Sequence, residues 1–432
     1  MKLYSTKNRN EEVSLKEAVF KGLPSDNGLY MPTFIPVLDK SFFENIDQLS
    51  FQEIAFQVSK KLIGDDVPDA DLKKIIDDVL SFEAPVVHVK DNINVLELFH
   101  GPSFAFKDFG ARFMSRLMSY FLQKENKEIN ILVATSGDTG SAVAQGFLNM
   151  PGIKVTILYP SKKVSEIQEK QLTTLGQNVT ALEVLGNFDD CQRMVKEAFL
   201  DPQLSQKLNL SSANSINISR LIPQSFYYFY AYAQVKKQGK PVVFCTPSGN
   251  FGNLCGGLIA NRMGLPVQKF VVATNANDIV PKYLHTGIFE PKASVATISN
   301  AMDVGHPSNF ARMLALYNND LSAMQAEIVG KSYNDDQTRE AMKSIYNETG
   351  YVMCPHTAVA YLGLKDYLKE SGADATGIFL ATAHPAKFID VVEETIQKKI
   401  EIPQKLQTVM EKKKESILLS NKFEDLKQFL LK

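Results

Sequence analysis

Residues 129–160 read INILVATSGDTGSAVAQGFLNMPGIKVTILYP. The opening INILVAT is an apolar, β-rich run of strand length, and SGDTG has the small polar residues of a turn. SAVAQGFLNM continues as a helix, and KVTILYP is a second buried strand. Strand, turn, helix and strand in so short a span make a βαβ unit, the building block of a parallel sheet with helices packed on its faces.

The same rhythm extends in both directions. Downstream, Val164–Leu175 reads as a helix, VTALEVL (179–185) as a strand and Asp189–Leu200 as an amphipathic helix. A second series opens at PVVFCTP (241–247), turns at SGNFGN (248–253), enters a small-residue helix around GGLIANRMG and returns as the strand KFVVATN (269–275). The run GIFLATA (377–383) is expected to close that second lobe. Upstream, a short β-like opening and two helical stretches, Phe51–Ile63 and Ala70–Leu80, make an accessory domain. The Lys/Glu-rich segment after residue 400 reads as peripheral helices. The expected architecture is therefore α/β: a small N-terminal domain over residues 1–90, open-sheet lobes over 91–225 and 226–400, and a helical tail over 401–432. A chain of 432 residues exceeds the size at which one core keeps growing, which agrees with two lobes and a site between them.

Composition narrows the function. Apolar residues at 44% and charged residues at 22% are those of an ordinary globular protein, and a net charge of -1 lacks the basic footprint of a nucleic-acid binder. The four cysteines, Cys191, Cys245, Cys255 and Cys354, show no paired spacing, so reduced thiols and a cytoplasmic setting are expected rather than disulfides or zinc. No apolar h-region opens the chain, and no later run reaches the roughly 18 residues of a membrane span, so a small-molecule site is sought.

Three segments carry chemistry. Ser248-Gly249-Asn250-Phe251-Gly252-Asn253 lies between a strand and a helix, where successive N–H groups face an anion such as a phosphate. It is neither a P-loop nor a dinucleotide fingerprint, and taken alone it serves equally as a structural turn. Thr135-Ser136-Gly137-Asp138-Thr139 offers hydroxyls and N–H donors suited to a carboxylate, although Ser136 or Asp138 as a plain helix cap explains it too. Lys107, set among Phe104, Ala105, Phe106 and Phe109, has the apolar setting that lowers an amine's pKa and makes it a nucleophile; pairing with Asp108 is the alternative.

HGPSFAFKDFGARF (100–113), with TSGDTGSA, PSGNFGN, MDVGHPSNFAR, PHTAVAYLG, TAHPAKF and the opening NEEVSLKEAVFKGLPSDNGLYMP, resembles the threonine synthase family of the pyridoxal-phosphate enzymes with the tryptophan-synthase-like fold. The resemblance runs in order along nearly the whole chain. It implies that Lys107 carries pyridoxal 5'-phosphate as an aldimine, that residues 249–253 with Ser248 hold the cofactor phosphate, that Thr382 lies near the pyridine nitrogen and that Asp138 flanks the phenolic oxygen. It further implies a carboxylate site at Thr135, Ser136 and Thr139, and a substrate-phosphate site at Asn214, Ser215 and Arg220 in ANSINISRL. The implied reaction turns O-phospho-L-homoserine and water into L-threonine and phosphate, by α-proton abstraction, γ-elimination and β-addition of water. His306 stands where that family places asparagine, and Cys354 where it places aspartate.

On residue type alone, Arg220 in a surface ion pair and Asn214 in a turn remain open, and His356 and His384 read as structural rather than catalytic. A serine or threonine dehydratase or a β-replacement enzyme of the same fold is the competing enzymatic expectation. A protein that keeps the fold without catalysis is the non-enzymatic one.

Overall fold

The computed structural model describes residues 1–123, 125 and 127–432. Its strands, in chain order, are β1 (Lys2–Ser5), β2 (Asn8–Ser14), β3 (Tyr30–Pro32), β4 (Val86–Lys90), β5 (Ile93–Glu97), β6 (Ile129–Ala134), β7 (Ile153–Pro160), β8 (Val179–Leu185), β9 (Leu210–Ser212), β10 (Val242–Pro247), β11 (Val267–Thr274), β12 (Ile328–Ser332), β13 (Thr376–Ala381) and β14 (Ile417–Ser420).

They form three sheets: an antiparallel β2-β1-β3, a larger β12-β11-β10-β13-β5-β4, and a smaller β14-β8-β7-β6-β9. The smaller sheet is parallel throughout, and the larger one is parallel except where β4 runs back along β5. Strands β6, β7, β10 and β13 are nearly continuous buried apolar runs, as a sheet covered by helices on both faces requires.

Sheet membership crosses the linear division expected from sequence. β5 lies within residues 91–225, yet it pairs with β13 in the larger sheet, and β4 follows it there. GIFLATA joins the sheet of the second lobe as expected, and does so inside it: β13 lies between β10 and β5. The tail is not all helix, because β14 adds to β8 as an edge strand of the smaller sheet. Each difference arises from strand pairing between residues far apart in sequence, which local periodicity does not encode.

In the N-terminal domain the helix Phe51–Ile63 starts at a capping box in which Ser50 and Glu53 satisfy each other's backbone N–H groups. Phe51 stacks on Tyr230 at 4.3 Å and 8°, docking this domain on the helix Phe226–Val235. The tail is fastened by Leu426, fully buried against the smaller lobe, and by ion pairs from Lys414 to Glu169 and Glu183, both at 2.7 Å.

Candidate active site

Lys107 is the first residue of the helix Lys107–Leu122. The loop before it is clamped to the chain just past β13. Ala105 bridges Ala383, Phe106 N–H donates to the Thr382 carbonyl at 2.8 Å, and His384 N–H donates to the Phe104 carbonyl at 3.0 Å. The buried Thr382 thus sits one residue from the lysine in space. Lys107 is half-buried as a residue, and burial pushes its amine down to about 8, with Asp138 opposing and Arg220 and Lys387 reinforcing the shift.

Asp138 opens the helix Asp138–Phe147 at the C-terminal end of β6. Burial works against its ionisation, but Lys387 at 2.7 Å and the nearby Lys107 hold its carboxyl well below the usual carboxylate range. Gln168 Nε2 donates to the same oxygen at 3.0 Å. Gly137 has φ 140°, and a Cβ there would meet the Gln168 side chain at 2.5 Å, so the turn needs glycine. Thr135 Oγ1 accepts the N–H groups of Gly137 at 3.0 Å and Gly140 at 2.9 Å, so this hydroxyl shapes the turn itself. Ser136 is exposed and Thr139 half-buried, which leaves these two available to a ligand.

The loop 248–253 is braced from within. Ser248 Oγ donates to Asn253 Oδ1 at 2.7 Å, Asn253 Nδ2 donates to the Pro247 carbonyl at 2.9 Å, and Phe251 takes the left-handed conformation at φ 60° with its ring buried. The N–H groups of Gly249, Asn250, Phe251 and Gly252 find no acceptor among the described residues, at the start of the helix Gly252–Arg262. Asn250 Nδ2 donates to Ser215 Oγ at 2.7 Å, so this loop and the 213–221 segment lie side by side. Asn214 Nδ2 reaches the Ala134 carbonyl at 3.5 Å, at the mouth of the Thr135 turn.

Arg220 is 3% exposed, and burial lowers its guanidinium to about 10. It donates to the Ala213 carbonyl, its Nε has no partner, and it makes no salt bridge among the described residues, although the charge of Asp108 acts on it. Arg312, equally buried, is different: the carbonyls of Tyr30, Ser215 and Ile216 and Asn309 Oδ1 accept its N–H groups. It ties the N-terminal domain to the Ser215 turn, whereas Arg220 keeps unspent donors.

Sequence reasoning named none of Lys387, Gln168, Asn309 or Arg312. Lys387, Asn309 and Arg312 lie in the quoted segments TAHPAKF and MDVGHPSNFAR, so a signal was present for them. His356 was set aside as structural; its Nε2 accepts the Ala301 N–H at 3.1 Å, and burial pushes it down to about 4, keeping the ring neutral. Cys354 is the buried N-cap residue of the helix Pro355–Ser371, its Sγ 3.2 Å from Thr357 Oγ1. His306 is exposed beside Phe289. His384 Nδ1 accepts the Ala386 N–H at 3.1 Å, a local cap.

The profile of the family described as "Pyridoxal-phosphate dependent enzyme" matches residues 85–382, and those described as "Threonine synthase N terminus" and "Threonine synthase, C-terminal" match 2–80 and 357–430. Threonine synthase from Escherichia coli strain K12 is 44% identical over 94% of each chain, and threonine synthase from Buchnera aphidicola subsp. Acyrthosiphon pisum is 43% identical over all of both. The chain belongs to the threonine synthase family. The E. coli threonine synthase crystal structure superposes with a TM-score of 0.93 at 42% identity, covering 100% of this chain and 99% of that one. A pyridoxal-phosphate-bound threonine synthase from Brucella melitensis gives 0.93 at 33%, covering 100% and 98%.

As a member of the threonine synthase family the chain is a pyridoxal-phosphate-dependent lyase, and its residues fit that cofactor. The pKa of the Lys107 amine is lowered toward neutrality, and residues 249–252 present a row of N–H groups without an acceptor among the described residues, as a phosphate requires. A buried donor, Asn309 Nδ2, has no partner and lies 3.6 Å from where a Cβ on Gly252 would stand. No described helix is long and apolar enough to cross a membrane, and no described group of His, Cys, Asp and Glu could hold a metal ion.

Proposed function

We propose that the chain converts O-phospho-L-homoserine and water to L-threonine and phosphate, with Lys107 holding the cofactor and working at the substrate's α-carbon. The observation that carries the phosphorylated substrate is Arg220, a buried guanidinium with an unpartnered Nε and no salt bridge among the described residues, Asp108 acting on it only from beyond ion-pairing distance. An isolated buried charge is costly, and a phosphate dianion is the counter-charge that a planar donor fork matches. A dehydratase acting on unphosphorylated serine would have no use for it.

When bound, pyridoxal phosphate supplies the electron sink that stabilises negative charge on substrate carbon. Residues 249–252 would hold its phosphate through backbone N–H groups with Ser248 and Asn253 bracing the loop, while Thr382 and Asp138 would border its ring. Lys107 Nζ, lowered to about 8, is a competent base near neutral pH and would take the proton from the substrate's Cα. Ser136 and Thr139, on the turn that Thr135 shapes, would hold the substrate carboxylate at a helix N-terminus. Asn214, Ser215 and Arg220 would hold its phosphate. With both ends fixed, a Cβ proton would be given up as the Cγ–O bond, oriented for departure, breaks to release phosphate; Cγ would then take up a proton, and enclosure would keep stray water out until one water adds its hydroxyl at Cβ and its proton returns to Cα. A cytoplasmic setting belongs to the same proposal, supported by four buried, unpaired cysteines.

The test compares O-phospho-L-homoserine with L-serine on the wild type and on Arg220→Met. The proposal expects kcat/KM for the phosphorylated substrate to fall at least ~100-fold, about 2.7 kcal/mol of transition-state stabilisation, with any residual turnover of L-serine unchanged. Equal losses on both substrates would remove the phosphate role of Arg220.

A further inference from the structure

Lys387 has no part in the steps above, yet it is 1% exposed and among the most enclosed cations of the site. It stands in the turn Pro385–Phe388, just past β13 of the larger sheet. Its Nζ meets Asp138 Oδ1 at 2.7 Å, on the helix that follows β6 of the smaller sheet, and donates to the Ser103 carbonyl at 2.8 Å, in the loop leading to Lys107.

The helix Glu166–Thr173 holds the same two groups again. Gln168 donates to Asp138 Oδ1 at 3.0 Å, and Gln171 Nε2 donates to the Ser103 carbonyl at 3.2 Å. Ser103 N–H donates in turn to Asp108 Oδ2 at 2.8 Å, on the second residue of the lysine helix. Asp138 makes its ion pair with Lys387; no ion pair or hydrogen bond joins it to Lys107 among the described residues, although the two charges act on each other. A buried carboxylate takes whatever cation is in reach. The residue that satisfies Asp138 therefore decides whether Lys107 is left free.

We propose that Lys387 is a positioning residue: by pairing with Asp138 and holding the Ser103 carbonyl, it keeps Asp138 from capturing Lys107, so that the Lys107 amine stays available to take up the cofactor. The proposal rests on Lys107 being the cofactor lysine. Three charged groups act on Lys107, namely Asp138, Arg220 and Lys387, and His356, which faces the same charges, is neutral in this setting. Removing Lys387 takes one cation away from the amine and frees one carboxylate toward it, and both changes favour the protonated, unreactive lysine.

The experiment uses the full-length chain stripped of cofactor, with pyridoxal phosphate as the probe, borohydride to trap the attachment and peptide mapping to locate it, over a range of pH. In Lys387→Met the rate of attachment at Lys107 at pH 7 is expected to drop about tenfold and its pH midpoint to rise by about one unit. Lys387→Arg, which retains the cation, is expected to stay near the wild type. The double variant Lys387→Met with Asp138→Asn removes the freed carboxylate together with the cation and is expected to bring the pH midpoint back to the wild-type value or below it, whatever the absolute rate, since Asp138 also borders the cofactor ring. That double variant keeps the question answerable if the single one does not fold. A wild-type rate and midpoint in Lys387→Met, or a double variant whose midpoint stays as high as that of the single, overturns the proposal. Attachment at a lysine other than Lys107 in the wild type instead overturns the cofactor-lysine reading, and the proposal with it.

Discussion

Gly249→Ala puts the loop 248–253 under direct strain. A Cβ on Gly249 would lie 2.7 Å from Met302 Cα, 3.0 Å from the Met302 carbonyl oxygen and 3.1 Å from its carbonyl carbon. All three are backbone atoms of the turn Asn300–Met302, which is itself held by the bond from Ala301 N–H to His356, so no flexible side-chain end can give way. Carbon atoms settle near 3.5 Å or beyond, so the two segments must separate by about 0.8 Å. Overpacking of this kind costs ~1–3 kcal/mol. The loop bearing the unpaired N–H groups is one of the two segments that must move, so the strain appears in cofactor binding. Titrating the cofactor-stripped variant with pyridoxal phosphate should show a dissociation constant raised by ~5- to 150-fold, the same energy expressed as a ratio. A dissociation constant within twofold of the wild type would refute the placement of the cofactor phosphate on this loop.

Other outcomes follow from the burial of charge. Arg220→Met should leave the midpoint of thermal unfolding unchanged or raise it, because it removes a buried cation that makes no salt bridge among the described residues; a fall of several degrees would mean that Arg220 is structural. Burial raises Asp108 to about 6, against the N–H of Ser103, so the folded state holds this proton more tightly than the unfolded chain. That stabilisation is full below about pH 3.9 and is lost as pH rises through 6, a swing of roughly 2–3 kcal/mol. Urea unfolding of the wild type and Asp108→Asn at pH 4 and pH 7 should therefore diverge by about that amount, to the variant's benefit at pH 7. All four thiols are buried and burial pushes each of them up, Cys191 and Cys255 to about 12, so a thiol-exchange reagent should titrate none in the native protein and four after denaturation.

The sequence was most legible where the information is local. INILVAT, KVTILYP and VTALEVL fall on β6, β7 and β8 to within a residue or so, and the helix Phe51–Ile63 has the bounds its capping box dictates. It was least legible where partners are distant. β14 is a four-residue strand in a charged tail, and only its pairing with Leu182–Leu185 makes it part of a sheet. Lys387 lies inside a quoted segment, but its meaning depends on Asp138, which no local pattern connects to it. Thr135 illustrates the converse: its residue type suits a carboxylate, while its hydroxyl is engaged by Gly137 and Gly140, within the very turn that makes the site. Arg220 and Arg312 are indistinguishable as residue types, and only the acceptors around each separate a tether from a site with unspent donors.

The central claim is tested most directly by measuring L-threonine and phosphate together from O-phospho-L-homoserine, with the wild type and Lys107→Ala side by side. The account predicts equal amounts of the two products from the wild type and neither above background from the variant. Phosphate released with a keto acid in place of threonine, turnover of L-serine alone, or threonine still formed by Lys107→Ala would contradict it.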